Sequence, residues 1–148
     1  MITLCTVDGI AAAAGLQLAL TCDLLLASEK SSFSTPGIKW GLFCSTPGVQ
    51  LVRSMAAEKK AREMLLFGES ISAQEAYQYG LVNKVVPEGQ MHTTVEDYIS
   101  KAKQLSGEVL TLGKAALDQQ LTAPDLASAY CLAGKAMHDN ITNKSDCK

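Results

Sequence analysis

An α/β core followed by a helical tail is the fold class this sequence predicts, and three observations predict it. Short runs rich in Thr, Leu and Val stop at turn residues and alternate with stretches of good helix formers. The last strand-like run halts at Pro87. Beyond it only helical spacing of apolar residues recurs, so the chain divides into an α/β portion, residues 1–86, and a helical region, residues 87–148.

The elements follow in order. Ile2 to Val7 reads as a strand because Asp8-Gly9, a turn pair, ends it. From Ile10 to Leu20 Ala and Leu dominate, and they outweigh the penalty of about 1 kcal/mol for Gly15, which predicts a helix. Leu24-Leu25-Leu26-Ala27 is short enough for a buried strand within Asp23 to Ser28. Ser32-Phe33-Ser34 is a second extended piece, closed by Thr35-Pro36-Gly37, where the proline keeps Thr35 out of the helical region. Gly41 to Gly48, with Pro47 among small residues, predicts a loop whose backbone approaches something closely. Ala61, Met64 and Leu65 fall at helical spacing within Glu58 to Phe67, and Gly68 supplies the stop. Ser72 and Glu75 form a capping box for a short helix ending at Gly80, and Leu81 to Val86 predicts a strand. In the tail, Val95, Ile99 and Ala102 share one helical face, and Leu126, Ala129, Ala133 and Met137 another, after Pro124. These stripes are expected to be core or subunit contacts.

Composition excludes several classes. With 47% hydrophobic and 19% charged residues over 148, the chain is neither disordered nor fibrous, and it is long enough to bury a real core. A net charge of −2 argues against a nucleic-acid or anionic-lipid partner, and the basic group Lys59, Lys60 and Arg62 is offset by Glu58 and Glu63. The five cysteines, Cys5, Cys22, Cys44, Cys131 and Cys147, are odd in number and lack metal-ligand spacing, so no metal is expected and a reducing compartment fits. The apolar run Ile10 to Leu20 is shorter than the roughly 20 residues of a membrane span. No secretory signal or transit peptide is visible.

The run Val7-Asp8-Gly9-Ile10-Ala11-Ala12-Ala13-Ala14-Gly15-Leu16-Gln17-Leu18-Ala19, then Cys22-Asp23 and Ala27-Ser28, resembles the signature of the crotonase (enoyl-CoA hydratase/isomerase) family. Phe33 with Pro36, Gly41-Leu42, Pro47-Gly48, Gly68, Ile71-Ser72-Ala73, Glu75-Ala76 and Gly80-Leu81-Val82 through Pro87 follow the same pattern in order. The resemblance runs from about Thr6 to Met137, while Ile141 to Lys148 departs from it. It implies the C-terminal part of a ββα spiral, and expects members to carry a further N-terminal segment with several strands and the first of two oxyanion-hole amides. It also implies a fatty acyl-CoA ligand, with coenzyme A as part of the substrate and no separate cofactor. A trimer or pair of trimers of the full-length protein and a mitochondrial location are implied in the same way.

Chemically, the small-residue turn from Ala12 to Gly15 matters most. Unsatisfied amides at a helix start stabilise a carbonyl oxygen that gains negative charge, as a thioester carbonyl does. Spacing alone favours small residues that let a helix pack tightly; the resemblance shifts the reading to an oxyanion donor and assigns it to the N–H of Ala14. It also aligns the family's two catalytic glutamates with Gln17 and Gly37. A glutamine amide holds water but exchanges no proton near neutral pH, and glycine offers no side chain, so ordinary hydratase turnover is not expected. Ala12, Ala13, Thr35, Pro36, Leu42 and Pro47 are the implied substrate contacts. The polar groups Ser34, Thr35, Cys44, Ser45 and Thr46 have no histidine in a recognisable relation to activate them; His92 and His138 are expected at the surface or an interface. Asp23 is expected to be a structural acceptor.

Overall fold

In a computed structural model, which describes residues 1–142, the first two strand pairs divide themselves between two small sheets. β1 (Leu4–Val7) and β3 (Leu24–Ser28) run parallel in one, with Cys5 beside Leu25, and β6 (Lys84–Val86) joins β3 on its other side. β2 (Ile10–Ala12) and β4 (Ser32–Ser34) run parallel in the other, and β5 (Ser70–Ser72) pairs antiparallel with β4. A strand pair followed by helix occurs twice: β1, β2 and α1 (Ala14–Leu20), then β3, β4 and a 3₁₀ turn, Pro36–Trp40, leading to α2 (Ser45–Ser54) and α3 (Glu58–Phe67). This repetition is the ββα spiral that the resemblance implied.

The helix expected over Ile10 to Leu20 begins only at Ala14. Ile10–Ala12 is instead strand, because the ladder to β4 places Ala11 beside the fully buried Phe33, and tertiary pairing overrides the helical preference of alanine. Ala13, at φ +48°, separates the strand from the helix. The second correction concerns Gly41 to Gly48, expected as loop: α2 starts at Ser45. Pro47 costs no hydrogen bond there, since first-turn amides have no intrahelical acceptor. A Cβ on Gly48 would stand 3.2 Å from the Leu65 side chain, so glycine is what lets α2 and α3 approach. Of Leu81 to Val86 only the last three residues are strand, while Leu81 and Val82 are buried in the connection before it.

Capping was legible. Ser72 Oγ accepts from the Glu75 N–H at 3.2 Å and the Ser72 N–H donates to Glu75 Oε2 at 2.8 Å, the reciprocal pair that starts α4 (Ala73–Gln78). Gly68 closes α3 in the left-handed conformation.

The chain falls into two compact units. One, Thr3–Glu96, holds both sheets and a core in which Leu16, Leu26, Phe33, Leu51, Met64 and Ile71 are fully buried. Within it Ser31 ties the two strand pairs together: its hydroxyl donates to the Val7 carbonyl at 2.8 Å, accepts the Gly9 N–H at 3.2 Å and meets Ser28 Oγ at 2.9 Å. The other unit comprises Met1–Ile2 with the chain from Asp97 onward, in which α6 (Gly107–Leu121) packs on α7 (Leu126–Thr142). α5 (Met91–Lys103) begins in the first unit and ends in the second. The last strand thus ends at the residue before Pro87, and the compact α/β unit runs on to Glu96.

Candidate active site

Two segments meet at the carboxyl ends of adjacent parallel strands. Because Ala12 pairs with Ser34, the chain leaving β2 (Ala13 to Gln17) and the chain leaving β4 (Thr35 to Gly37) start side by side, the position where open α/β sheets present ligands. A further hydrogen bond fixes them: the Ala13 N–H donates to the Ser34 carbonyl at 3.1 Å.

At the first segment the backbone is turned sharply. Ala13 has φ +48° and ψ −116°, a conformation glycine adopts easily and alanine only when its surroundings enforce it. The first ladder bond of α1 is Gln17 N–H to Ala13 O at 3.0 Å, so the amides of Ala14, Gly15 and Leu16 precede it and the helix gives them no acceptor. Ala14 and Gly15 are exposed, Gln17 is half-buried, and Ala12 and Ala13 are partly covered. Nothing stands within 4 Å of a Cβ added at Gly15.

The second segment is closed. Gly37 lies in the 3₁₀ turn, its carbonyl accepts the Leu42 N–H at 2.9 Å, and Gly41 turns the chain back at φ +74°. A Cβ on Gly37 would collide with the Leu42 carbonyl oxygen and come within 2.8 Å of Cys44 Sγ. Of the expected substrate contacts, Thr35 is fully buried and its hydroxyl donates to the Met64 carbonyl at 2.8 Å. Pro47 is buried in α2, Pro36 half-buried, and Leu42 exposed. Thr35 and Pro47 therefore serve packing in this structure.

A cavity of about 270 Å³ lies on the other side of α1, lined by Cys5, Asp8, Gly9, Ile10, Gly15 and Leu18 among others. Gly15 is its sole share of the small-residue turn; Ala14, Gln17 and Gly37 do not line it. Sequence reasoning did not find this cavity, and only the strand–turn–helix succession that forms its walls hinted at it. Asp8 brings a carboxylate to its rim, but that carboxylate is exposed and paired with Lys30 at 3.1 Å. A hydrogen bond from Ser28, and then Lys30, hold the Asp8 carboxyl below the usual range, which fits a fixed anion better than a proton donor. Asp23 accepts from the Thr3 N–H and hydroxyl at 2.7 and 2.8 Å, a structural role. His92 and His138 are exposed, and no cluster of three potential metal ligands occurs among the described residues.

A paired-strand spiral with small residues turning into a helix beside a parallel neighbour defines a crotonase-type protein, and the family profile described as enoyl-CoA hydratase/isomerase matches residues 1–148: the chain belongs to that family. More particularly, it is 52% identical over 138 residues to the rat protein named enoyl-CoA hydratase domain-containing protein 3, mitochondrial, covering 93% of this chain and 45% of the relative. The human protein of that name is 52% identical over 135 residues, covering 91% and 44%. The crystal structure of human enoyl coenzyme A hydratase domain-containing protein 3 superposes with a TM-score of 0.88 at 49% identity, over 95% of this chain and 55% of that one. An enoyl-CoA hydratase/isomerase family protein from Silicibacter pomeroyi gives 0.90 at 35%, over 98% and 61%. The chain spans about half the length of the curated relatives it matches. No helix among the described residues is long and apolar enough to cross a membrane.

Proposed function

We propose that this protein binds fatty acyl-CoA thioesters, with the Ala14 N–H donating to the thioester oxygen, and that it lacks ordinary enoyl-CoA hydratase turnover. Coenzyme A enters as part of the ligand, and the names of the relatives favour a mitochondrial setting. The observation that carries the reading is the register of Ala12 with Ser34, which starts the chain toward the Ala14 amide and the chain toward Gly37 next to each other. An amide whose helix offers it no acceptor is the kind of fixed donor that stabilises an oxyanion, worth about 10²–10³ in rate where chemistry follows. Chemistry needs a proton shuttle as well. Hydration of an enoyl thioester requires one group to take a proton from water and one to deliver a proton to carbon, and neither Gln17 nor Gly37 does either. Positioned acid–base groups contribute about 10²–10⁴ each, so their loss leaves binding as the surviving capacity.

Calorimetry with a nonhydrolysable acyl-CoA, beside a hydration assay on crotonyl-CoA, tests this. Saturable binding with background hydration is the expected pair of results. Turnover clearly above buffer overturns the non-catalytic part, and absence of binding overturns the ligand.

A second reading, subunit assembly, has its own observation. Leu126, Tyr130, Met137 and Ile141 are exposed on α7, and at 3.6 residues per turn they fall within an arc of about 60°. Such a stripe with no partner in one chain is what a homo-oligomer would cover. Light scattering decides it: a monomer at high concentration removes the reading.

A further inference from the structure

β2 is three residues long, and the chain on either side of it is tied to the β4 segment. Past its end the Ala13 N–H donates to the Ser34 carbonyl at 3.1 Å. Before its start the Gly9 carbonyl accepts the Ser32 N–H at 3.0 Å, and the Gly9 N–H donates to the Ser31 hydroxyl at 3.2 Å. That hydroxyl in turn donates to the carbonyl of Val7, the last residue of β1, at 2.8 Å, so one side chain grips the Asp8-Gly9 turn on both sides. Ser31 is itself anchored: its N–H donates to the Ser28 carbonyl at 3.0 Å and its carbonyl accepts the Ala73 N–H at 2.9 Å. It is 2% exposed, so no bulk water stands ready to replace these partners. A ladder this short owes its register largely to what holds its ends. The register matters because of Ala13, whose φ of +48° and ψ of −116° persist only where the surroundings enforce them. The peptide unit that carries the Ala14 N–H is oriented by that ψ.

We propose that Ser31 is a positioning residue for the acyl-CoA site: by clamping the start of β2 it holds Ala13 in its strained conformation and so aims the Ala14 N–H at the thioester oxygen. The inference rests on the oxyanion role proposed for Ala14. Ser31 stands at the opposite end of β2 from that donor and acts through the ladder, without touching the ligand. Removing its hydroxyl strips a partner from the Gly9 N–H and from the Val7 carbonyl, both inside the fold, and leaves Gly9 held by its carbonyl and not by its N–H. The start of β2 is then free to shift. Ala13 relaxes toward negative φ, and the Ala14 N–H swings off the line to the oxygen.

The test reads the hydrogen bond itself. Crotonyl-CoA isotopically labelled at its carbonyl carbon and bound to the full chain should show its carbonyl infrared stretch at lower frequency than free in solution, because a donor to the oxygen weakens the C=O bond. In Ser31→Ala most of that downshift should be lost, and Kd should rise by about fivefold, the weight of one neutral hydrogen bond. Ser72→Ala, which removes the cap of α4 and so lowers stability by another route, should keep both the downshift and the affinity. Ser31→Cys, close to serine in size and a weaker donor, carries the test if the alanine variant does not fold, with a partial loss of the downshift expected. A full downshift in a folded Ser31 variant overturns the inference, and so does an equal loss in Ser72→Ala. Absence of any downshift in the unaltered chain overturns the acyl-CoA reading first, and this inference with it.

Discussion

The two segments that leave β2 and β4 begin as neighbours and end in opposite conditions. After β2 the chain is strained but open: Ala13 holds φ +48°, and Ala14 and Gly15 face solvent. After β4 it is relaxed but shut: Thr35 is fully buried, and the turn through Leu42 and Cys44 fills the space where a side chain at position 37 would begin. The difference teaches that positions 17 and 37, which the proposed function treats alike, are not equivalent. Gln17 carries a half-buried side chain on α1; at Gly37 the surrounding loop is built around having no side chain.

Gly37→Glu attacks the closed side and has the largest expected effect. Its Cβ meets a backbone carbonyl, which cannot swing aside as a side-chain tip can, so the 37–44 turn must move. We expect a loss of about 3 kcal/mol, read as a lower urea midpoint, with no gain of hydratase activity. An unchanged midpoint would show that the turn yields easily and that the asymmetry is false. Thr35→Val comes next. The change keeps the shape but removes the hydroxyl that donates to the Met64 carbonyl, an oxygen that also accepts the Gly68 N–H at 2.8 Å. With that second donor in place, the expected cost is about 1.5 kcal/mol, with acyl-CoA affinity unaltered. Weakened binding at unchanged stability would instead restore Thr35 as a ligand contact.

Ala13→Gly probes the open side. Glycine removes the Cβ that disfavours this φ, at an entropic cost to the folded state of somewhat less than the strain relieved. The expected result is a gain of about 1 kcal/mol in the same denaturation experiment. A loss would mean that the Cβ of Ala13, packed against the core, contributes more than the strain removes.

How much of this was legible in the sequence follows from where each signal resides. The capping box at Ser72 and Glu75, the stop at Gly68 and the apolar run of β3 depend on neighbouring residues, and all were readable. Ile10–Ala12 was not, because its strand state comes from pairing with residues more than twenty positions away. α2 was hidden for a different reason: Pro47 and Gly48 are poor helix formers tolerated at a first turn and at a close contact with Leu65. At the candidate site the small residues, and a glutamine and a glycine at positions 17 and 37, were visible as letters. The occupation of the Gly37 space by Leu42 and Cys44 was not, since no local pattern announces what folds back onto a glycine.

The smallest expected effect belongs to Gln17→Glu, and it separates chemistry from packing. Position 17 is half-buried at the fourth residue of α1, where glutamate is as good a helix former as glutamine and lies near the positive end of the helix. Stability should therefore hold within about 0.5 kcal/mol. Under the proposed function, a carboxylate there supplies one of the two proton-transfer groups that hydration needs, beside a position 37 that offers none. Hydration needs both water activation and delivery of a proton to carbon, so crotonyl-CoA turnover in this variant should stay at background while acyl-CoA binding persists. Turnover rising well above background would mean that one carboxylate suffices, that water or another group supplies the second proton, and that the closed turn at Gly37 is no barrier to catalysis.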